Sequence, residues 1–389
     1  MTAELEPFIT CLITIHGIGF QHAPQDGQPG FADGLQASLK TYLPDLLSGD
    51  PVSEFGRPAG EGAVYVHSAW PPGSGNETNG LRRLGSWSAD DPGHRHLDIT
   101  GVPLVEDGRS IAHVALVYAG LELQEPYFGS TSEVLVRAAL SHGRYASLPR
   151  LAMMTARDAV ALIGDHIHGN TKPTPSLQAR PSFTSSSSAT VSEGLGSILE
   201  AIGHDVVAYI TWNELRERVR SFVHEAILRV SLRPDVRRVI INAHSQGTVV
   251  AFDVLQGMAP LVFARLAGFV SAGSPLRKYV DFFYWGTNAG PIASLPWVNF
   301  WDARDPVADP LAPPPSWRPG TAVPTPSGKS ELYRSIDPDT GSMRPVAMSD
   351  HLVQNAQNGA GGSLPAHDYW DNRDQFVAPL AAMLRDATR

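Results

Sequence analysis

Short apolar runs recur along the chain and end at glycine, proline or aspartate, which is typical of strands buried in a sheet. The run at 8–15 stops at His16-Gly17-Ile18-Gly19, and the run at 236–242 stops shortly before Ser245. Runs of the same type occupy 63–67, 111–118, 269–272 and 297–301. We predict a buried strand for each of them.

Longer stretches have apolar residues at helical spacing. They cover 131–167, 197–230 and 248–256. In the second of these, one face is apolar, and we interpret the other as a solvated helix face that carries Arg216, Glu217, Arg218 and Arg220.

Polar and turn-forming residues separate these elements. Residues 71–110 are rich in Gly, Asp and His and are interpreted as an elaborated loop. Residues 169–192 contain prolines and the run Ser185–Ser188, and we expect a flexible surface loop there. The turn Asp337-Pro338-Asp339-Thr340-Gly341 lies between apolar segments at 333–336 and 343–347 and predicts a hairpin.

Alternation of short strands and helices predicts an α/β fold with a mainly parallel central sheet and helices on both faces. We expect a single domain over 1–389. The helical stretch 121–232 precedes Ser245 and is predicted to be a cap or insertion, with helices packed on the sheet faces as the alternative.

The composition indicates a globular protein and limits the kinds of partner that it can bind. The 389 residues are 42% hydrophobic and 18% charged, which suits a globular core, and the net charge of −9 argues against nucleic acid. The single cysteine, Cys11, excludes an internal disulfide and permits a reducing compartment. No positively charged leader or run of about 18 apolar residues is present, so we expect a cytoplasmic protein with no integral membrane segment. Oligomeric state stays open.

The segment Ala243-His244-Ser245-Gln246-Gly247 joins a predicted strand to a predicted helix. Serine at the apex of such a turn is a nucleophile elbow, in which a strained backbone projects the hydroxyl outward. Small residues are needed two positions before and after the serine, and Ala243 and Gly247 meet that demand. Ser245 is therefore the candidate nucleophile.

A nucleophilic serine needs a base and an orienting carboxylate. Only His351 and His367 follow Ser245, and His367, after the glycines at 359–362, is our first candidate. For the acid, Asp305 and Asp302 both follow the predicted strand 297–301. We assign Asp305 and keep Asp302 and His351 as alternatives.

An acyl-transfer site also needs two backbone N–H groups that bind the oxyanion. One is assigned to Gln246, the residue after the nucleophile. The other is assigned to Ile18 in the glycine turn, with Gly17 as the alternative. The side chain of His16 is expected to make structural hydrogen bonds. The phosphate-loop interpretation of these glycines lacks the required spacing.

Five segments follow one another in the chain: His16–Gly19, Ala243–Gly247, Gly273–Pro275, Asp305–Val307 and His367–Trp370. With these segments in this order, the sequence resembles the α/β-hydrolase superfamily, in particular its bacterial esterase- and lipase-like members. The resemblance covers the N-terminal strand and about residues 236–370. It implies an α/β-hydrolase fold and a serine hydrolase that cleaves carboxylic esters through an acyl-enzyme.

The substrate is expected to be a small-molecule or lipid-like ester, and no cofactor is expected. The alternatives are an amidase, a thioesterase or an acyltransferase that uses the same triad, and an inactive binding module of this fold. Phe282–Trp285, Trp70, Tyr127 and Phe128 could line a pocket or belong to the core. No metal site is assigned to His94–His96 or Asp165–His168, and Asp337–Gly341 is interpreted as a turn, not a calcium loop.

Overall fold

The structure is a computed structural model, and every structural statement below refers to the residues that it describes. These are residues 8–17, 31–49, 61–67, 77–78, 81–88, 104–105, 108–118, 209, 213–283, 286–305, 307–314, 317, 328–337, 339–355 and 365–389.

A nine-stranded sheet forms the centre of the described chain. In chain order its strands are β1 (Ile9–Ile15), β2 (Glu61–His67), β3 (Glu77–Thr78), β4 (Leu81–Ser88), β5 (Ile111–Val117), β6 (Val236–His244), β7 (Leu266–Ala272), β8 (Trp297–Asp302) and β11 (Ser349–Val353). Their order across the sheet is β11-β8-β7-β6-β1-β5-β2-β4-β3. Every pair from β11 to β5 is parallel, and the pairs beyond β5 are antiparallel.

The prediction of a mainly parallel sheet is confirmed, and each of the six apolar runs forms a strand. All residues of β1 and β5 are buried because these strands lie inside the sheet, with strands on either side. The interpretation of 71–110 as a loop is wrong for β3 and β4. These strands lie at the edge of the sheet and are held by backbone pairing, for which a continuous apolar run is not required.

Helices cover both faces of the sheet, as predicted. On one face, α1 (Asp33–Tyr42) and α6 (Ala378–Ala387) pack on apolar side chains of the central strands. On the other, α2 (Asn213–Ser231) and α3 (Gln246–Gln256) do the same. Successive side chains along a strand point to opposite faces of the sheet, so each face has its own apolar core. Leu12 and Ile240 face α1 and α6, whereas the residues next to them face α2 and α3.

The polar face of α2 is not uniformly solvated, contrary to the sequence-based interpretation. Arg216 makes two hydrogen bonds of 2.8 Å to the buried carboxylate of Asp253 on α3, and Arg220 lies 3.1 Å from the same carboxylate. Tyr209 donates a third hydrogen bond to it. The arginines therefore tie α2 to α3, whereas Glu217 stays exposed as predicted. A charged pattern cannot reveal that the facing helix holds a buried aspartate.

Shorter elements complete the described chain: α4 (Pro260–Phe263), α5 (Leu276–Phe283), a 3₁₀ turn at Gly290–Ser294, another at Pro365–His367 and a π-helical turn at Arg373–Val377. The predicted hairpin is confirmed as β9 (Lys329–Ile336) paired antiparallel with β10 (Met343–Ala347), separate from the main sheet. Its turn is closed by Asp337, whose carboxylate accepts from the N–H groups of Asp339 and Thr340.

Most of the predicted cap at 121–232, the flexible loop at 169–192 and both histidine patterns lie outside the described residues. The part of 121–232 that the structure describes as an element, α2, packs on the sheet. Among the described helices none is long and apolar enough to cross a membrane. The described residues also contain no group of three or more His, Cys, Asp or Glu side chains placed to hold a metal ion.

Candidate active site

A sharp turn between β6 and α3 carries Ser245. Its backbone has φ 53° and ψ −131°, and it is the one non-glycine residue with positive φ in the described part of the chain. Such a conformation is costly for a residue with a Cβ and persists only where the surroundings impose it. The predicted strand–turn–helix is thus present, with the strained serine at its apex.

The glycine two residues after Ser245 is required by packing. A Cβ on Gly247 would lie 2.1 Å from the carbonyl oxygen of His16 and 2.8 Å from that of Ile15. The small residue is therefore demanded by the end of β1, the neighbouring strand. Ala243, on the other side of the turn, is fully buried.

Gly17, shortly after β1, lies beside Ser245. A Cβ on Gly17 would be 2.5 Å from Ser245 Cβ and 3.0 Å from its Oγ. His16 is buried and, as predicted, makes structural hydrogen bonds: its Nε2 accepts from the Tyr118 N–H at 3.0 Å, and its Nδ1 contacts the Gly17 carbonyl. Tyr118 Oη donates to the carbonyls of His16 and Gly17. Together these bonds fix the backbone of Gly17 against Ser245.

Gln246 is the first residue of α3, so its backbone N–H has no partner within the helix. The positive end of the helix dipole adds to the attraction for an anion there. Its side chain is buried, and Oε1 accepts from Tyr279 Oη at 2.7 Å. Ile18, the other predicted oxyanion residue, lies outside the described residues. Gly17, the alternative, is the residue that the structure places against Ser245.

Asp305 follows β8 and is fully buried. Its Oδ1 accepts from the Val307 N–H at 2.8 Å, and its Oδ2 accepts from His367 Nδ1 at 2.7 Å and from Tyr369 Oη at 2.9 Å. Burial by itself raises the pKa of this carboxyl, but the charge of His367 and the three hydrogen bonds outweigh it, and the pKa of Asp305 is lowered. The carboxylate is therefore ionised and oriented.

His367 lies in the 3₁₀ turn before Tyr369, and its ring packs on a glycine. A Cβ on Gly273, after β7, would lie 2.8 Å from His367 Cε1 and 2.9 Å from Tyr369 Cε2. Because Nδ1 is paired with Asp305, the proton of the neutral ring is on Nδ1 and the lone pair is on Nε2. This is the tautomer that a general base beside a serine requires.

His244, the last residue of β6, links the segment that carries Ser245 to His367. His244 Nε2 donates to the carbonyl oxygen of His367 at 2.9 Å, and the two rings lie 4.5 Å apart. Among the described residues, Ser245 Oγ forms no hydrogen bond to His367. Bonds of this kind in ligand-free sites are often long and shorten when substrate binds.

Asp302 and His351, the alternative candidates for the acid and the base, have other hydrogen-bond and packing partners. Asp302 Oδ1 accepts from the Arg304 N–H at 2.8 Å and Oδ2 accepts from the Asn355 N–H at 2.6 Å, so its carboxylate caps the loop. His351 lies within β11, where its ring stacks on Phe300. Among the described residues, neither forms a hydrogen bond or a ring contact with His367.

Sequence reasoning missed two side chains that hold the site together. Tyr369 Oη links Asp302 to Asp305, because it accepts a hydrogen bond from the Asp302 N–H and donates one to the Asp305 carboxylate. Asn355 Nδ2 donates to the Ala366 carbonyl and steadies the turn before His367. Neither has a sequence signal, since each partner is a distant residue. The side chains of Phe282–Trp285, with Trp70, Tyr127 and Phe128, lie outside what the structure describes.

Neither the scan against protein-family models nor the searches of curated proteins and solved structures found a match.

Proposed function

We propose that this chain is a serine hydrolase of the α/β-hydrolase type that cleaves carboxylic esters through an acyl-enzyme on Ser245. The observation that carries the proposal is the strained serine at a strand–helix turn together with the buried Asp305–His367 pair. Either feature alone has structural explanations. Their common position after the carboxyl ends of the parallel strands β6, β8 and β11 favours catalysis.

The strand connections support this assignment. The nucleophile follows β6, the acid follows β8 and the histidine follows β11, in the chain order serine, acid, histidine that the α/β-hydrolase fold uses. Gly17 follows β1, the strand beside β6, and lies where that fold supplies an oxyanion donor.

The chemistry follows from these positions. His367 Nε2 takes the proton of Ser245 as Oγ attacks the substrate carbonyl, and the Asp305 carboxylate stabilises the imidazolium that forms. The oxyanion accepts hydrogen bonds from the Gln246 N–H and from a second N–H in the turn after β1, assigned to Ile18 with Gly17 as the alternative. His367 then protonates the leaving alcohol, and the acyl group stays on Ser245.

Deacylation reverses these roles. Water enters where the alcohol left, His367 takes its proton, and the hydroxide attacks the acyl carbonyl. Collapse of the second tetrahedral intermediate breaks the bond to Oγ, which recovers its proton from His367. The products are a carboxylic acid and an alcohol, and no cofactor enters any step.

The test compares Ser245→Ala with Ser294→Ala, a control on an exposed turn. We expect Ser245→Ala to abolish hydrolysis of p-nitrophenyl esters and labelling by a fluorophosphonate, and the control to keep both. Hydrolysis retained by folded Ser245→Ala would contradict the proposal. A panel that varies acyl length and leaving group then separates esters from thioesters and amides.

The assignments of acid and base need their own comparison. His367→Ala is expected to lower kcat by about 10⁴- to 10⁶-fold, the range found when a triad member is removed. His351→Ala is expected to keep activity, because its ring packs on Phe300 and contacts neither Asp305 nor His367 in the described structure. The reverse result would move the base to His351.

A further inference from the structure

His244 connects the nucleophile to the base. It is the last residue of β6, directly before Ser245, and only 9% of it is exposed. Its Nε2–H donates to the His367 carbonyl at 2.9 Å. Its ring also lies 4.5 Å from that of His367 and 5.2 Å from that of Trp370.

This contact differs from the others that hold the histidine. Asp305 orients the ring through Nδ1, and Asn355 ties down the preceding carbonyl from the β11 side. The bond from His244 starts at the elbow itself. Since the Ser245 backbone is fixed by its strained turn, a bond from the adjacent residue to the His367 backbone fixes the spacing of nucleophile and base.

The ring of His244 is suited to this task because it stays neutral. Burial, followed by the nearby charge of His367, lowers its pKa to about 3, against the smaller opposite effects of the hydrogen bond to His367 and of Asp305, while His16 lowers it slightly. A neutral ring keeps its proton on Nε2 for the His367 carbonyl. It also places no positive charge beside the imidazolium that forms during catalysis.

We propose that His244 is a positioning residue, which sets the distance between Ser245 Oγ and His367 Nε2 by donating its Nε2–H to the His367 carbonyl. The proposal rests on the proposed hydrolase function. It requires that His244 act through His367, that the donated hydrogen bond be its essential feature, and that its loss affect turnover more than substrate binding.

Two variants separate the hydrogen bond from the ring. His244→Phe keeps an aromatic ring and removes the donor, whereas His244→Gln places an amide N–H near the position of Nε2. We expect His244→Phe to lower kcat by about 10–100-fold with KM little changed, because small displacements of a catalytic group have effects of this size. His244→Gln is expected to recover most of the loss.

The matched control is His351→Phe, which makes the same substitution at a half-buried histidine stacked on Phe300. Should His244→Phe fail to fold, as judged by near-ultraviolet circular dichroism, His244→Asn replaces it, since its shorter amide does not reach the carbonyl. Wild-type kcat in the donor-free variant overturns the proposal. So does an equal loss in folded His244→Gln.

A double-mutant cycle tests whether His244 acts through His367. In a His367→Ala background, His244→Phe is expected to cause no further loss in the rate of fluorophosphonate labelling. Additive losses would show a merely structural role and overturn the inference. Ser245→Ala separates the two proposals: if that variant keeps activity, the hydrolase function fails, whereas an inactive Ser245→Ala with a fully active His244→Phe leaves the function standing and removes the positioning role.

Discussion

At the scale of single residues, the site is defined by groups whose surroundings oppose their ordinary behaviour. Ser245 holds a backbone conformation that its Cβ disfavours, and Asp305 stays ionised although it is fully buried. Both states cost free energy, which the surrounding hydrogen bonds and packing offset. Such compensated strain is typical of positions where chemistry depends on a fixed group.

The phenol of Tyr369, which the sequence did not indicate as part of the site, donates a hydrogen bond to Asp305. We predict that Tyr369→Phe lowers kcat/KM by about 10-fold or more, because a hydrogen bond to a charged carboxylate contributes roughly 1.5–3 kcal/mol. The loss also leaves the Asp302 N–H without the acceptor that it has in the folded protein. Steady-state kinetics with a p-nitrophenyl ester measures the effect.

Tyr42→Phe is the control for this prediction. The Tyr42 hydroxyl donates to the Arg373 carbonyl on the protein surface and not to a carboxylate, so its removal is expected to leave kcat/KM unchanged. Equal kinetics for Tyr369→Phe and the wild type would show that Val307 and His367 alone suffice to orient Asp305.

At the scale of elements, the elbow depends on the neighbouring strand. The first turn of α3 packs so closely on the end of β1 that Gly247 has no room for a methyl group. The same approach brings Gly17 against Ser245. Ser245 and Gly17 are therefore positioned by one contact between two elements far apart in the chain.

Gly247→Ala tests this contact. We expect a lower Tm together with loss of esterase activity, because the added Cβ would lie 2.1 Å from a backbone carbonyl oxygen and β1 would have to move. Differential scanning calorimetry and ester hydrolysis measure the two effects.

Gly34→Ala makes the same substitution in α1, where a Cβ would meet no atom within 4 Å. An unchanged or slightly raised Tm is expected there, since alanine favours a helix by about 0.5–1 kcal/mol relative to glycine. If Gly247→Ala behaved like this control, the close approach of α3 to β1 would not be required.

At the scale of the whole molecule, the parallel sheet brings the site together. The carboxyl ends of β1, β6, β7, β8 and β11 lie at one edge, and the segments after them carry Gly17, Ser245, Gly273, Asp305 and His367. Helices on both faces bury the central strands, so this edge is where polar groups meet. Folding and assembly of the site are therefore coupled, and the site affects how stability depends on pH.

His244 provides a measure of that coupling. Its pKa is about 3 in the folded protein and 6.5 as an ordinary histidine, so the unfolded chain binds the proton more tightly. The stability that it contributes is present above about pH 6.5 and is lost as the pH falls toward 3. We predict that the Tm of the wild type falls more steeply than that of His244→Gln over this window.

Calorimetry of the wild type and His244→Gln at matched pH values tests this prediction. Taking the difference between their Tm values at each pH cancels the contribution of other titrating groups, which both proteins share. Asp368 in particular acts in the opposite direction, because burial followed by Asp371 raises its pKa to about 6. Parallel curves for the wild type and His244→Gln would contradict the prediction.

The sequence predicted most of the central sheet because strands buried on both faces need continuous apolar runs, and those runs are visible in the chain. It indicated Ser245 for a similar reason, since the elbow is a local strand–turn–helix with small neighbours. It did not reveal β4 or β11, whose pairing comes from the backbone of adjacent strands. Nor did it reveal α1 and α6.

By itself, then, the sequence determined the α/β class, the serine at the turn and a short list of acids and bases. The choice among them depends on contacts across long stretches of chain. Only the tertiary structure placed Asp305, and not Asp302, against His367, and joined His244 to the His367 carbonyl. The physical reason is that local patterns encode burial and turns, whereas pairing of polar groups is decided by which strand ends the sheet brings together.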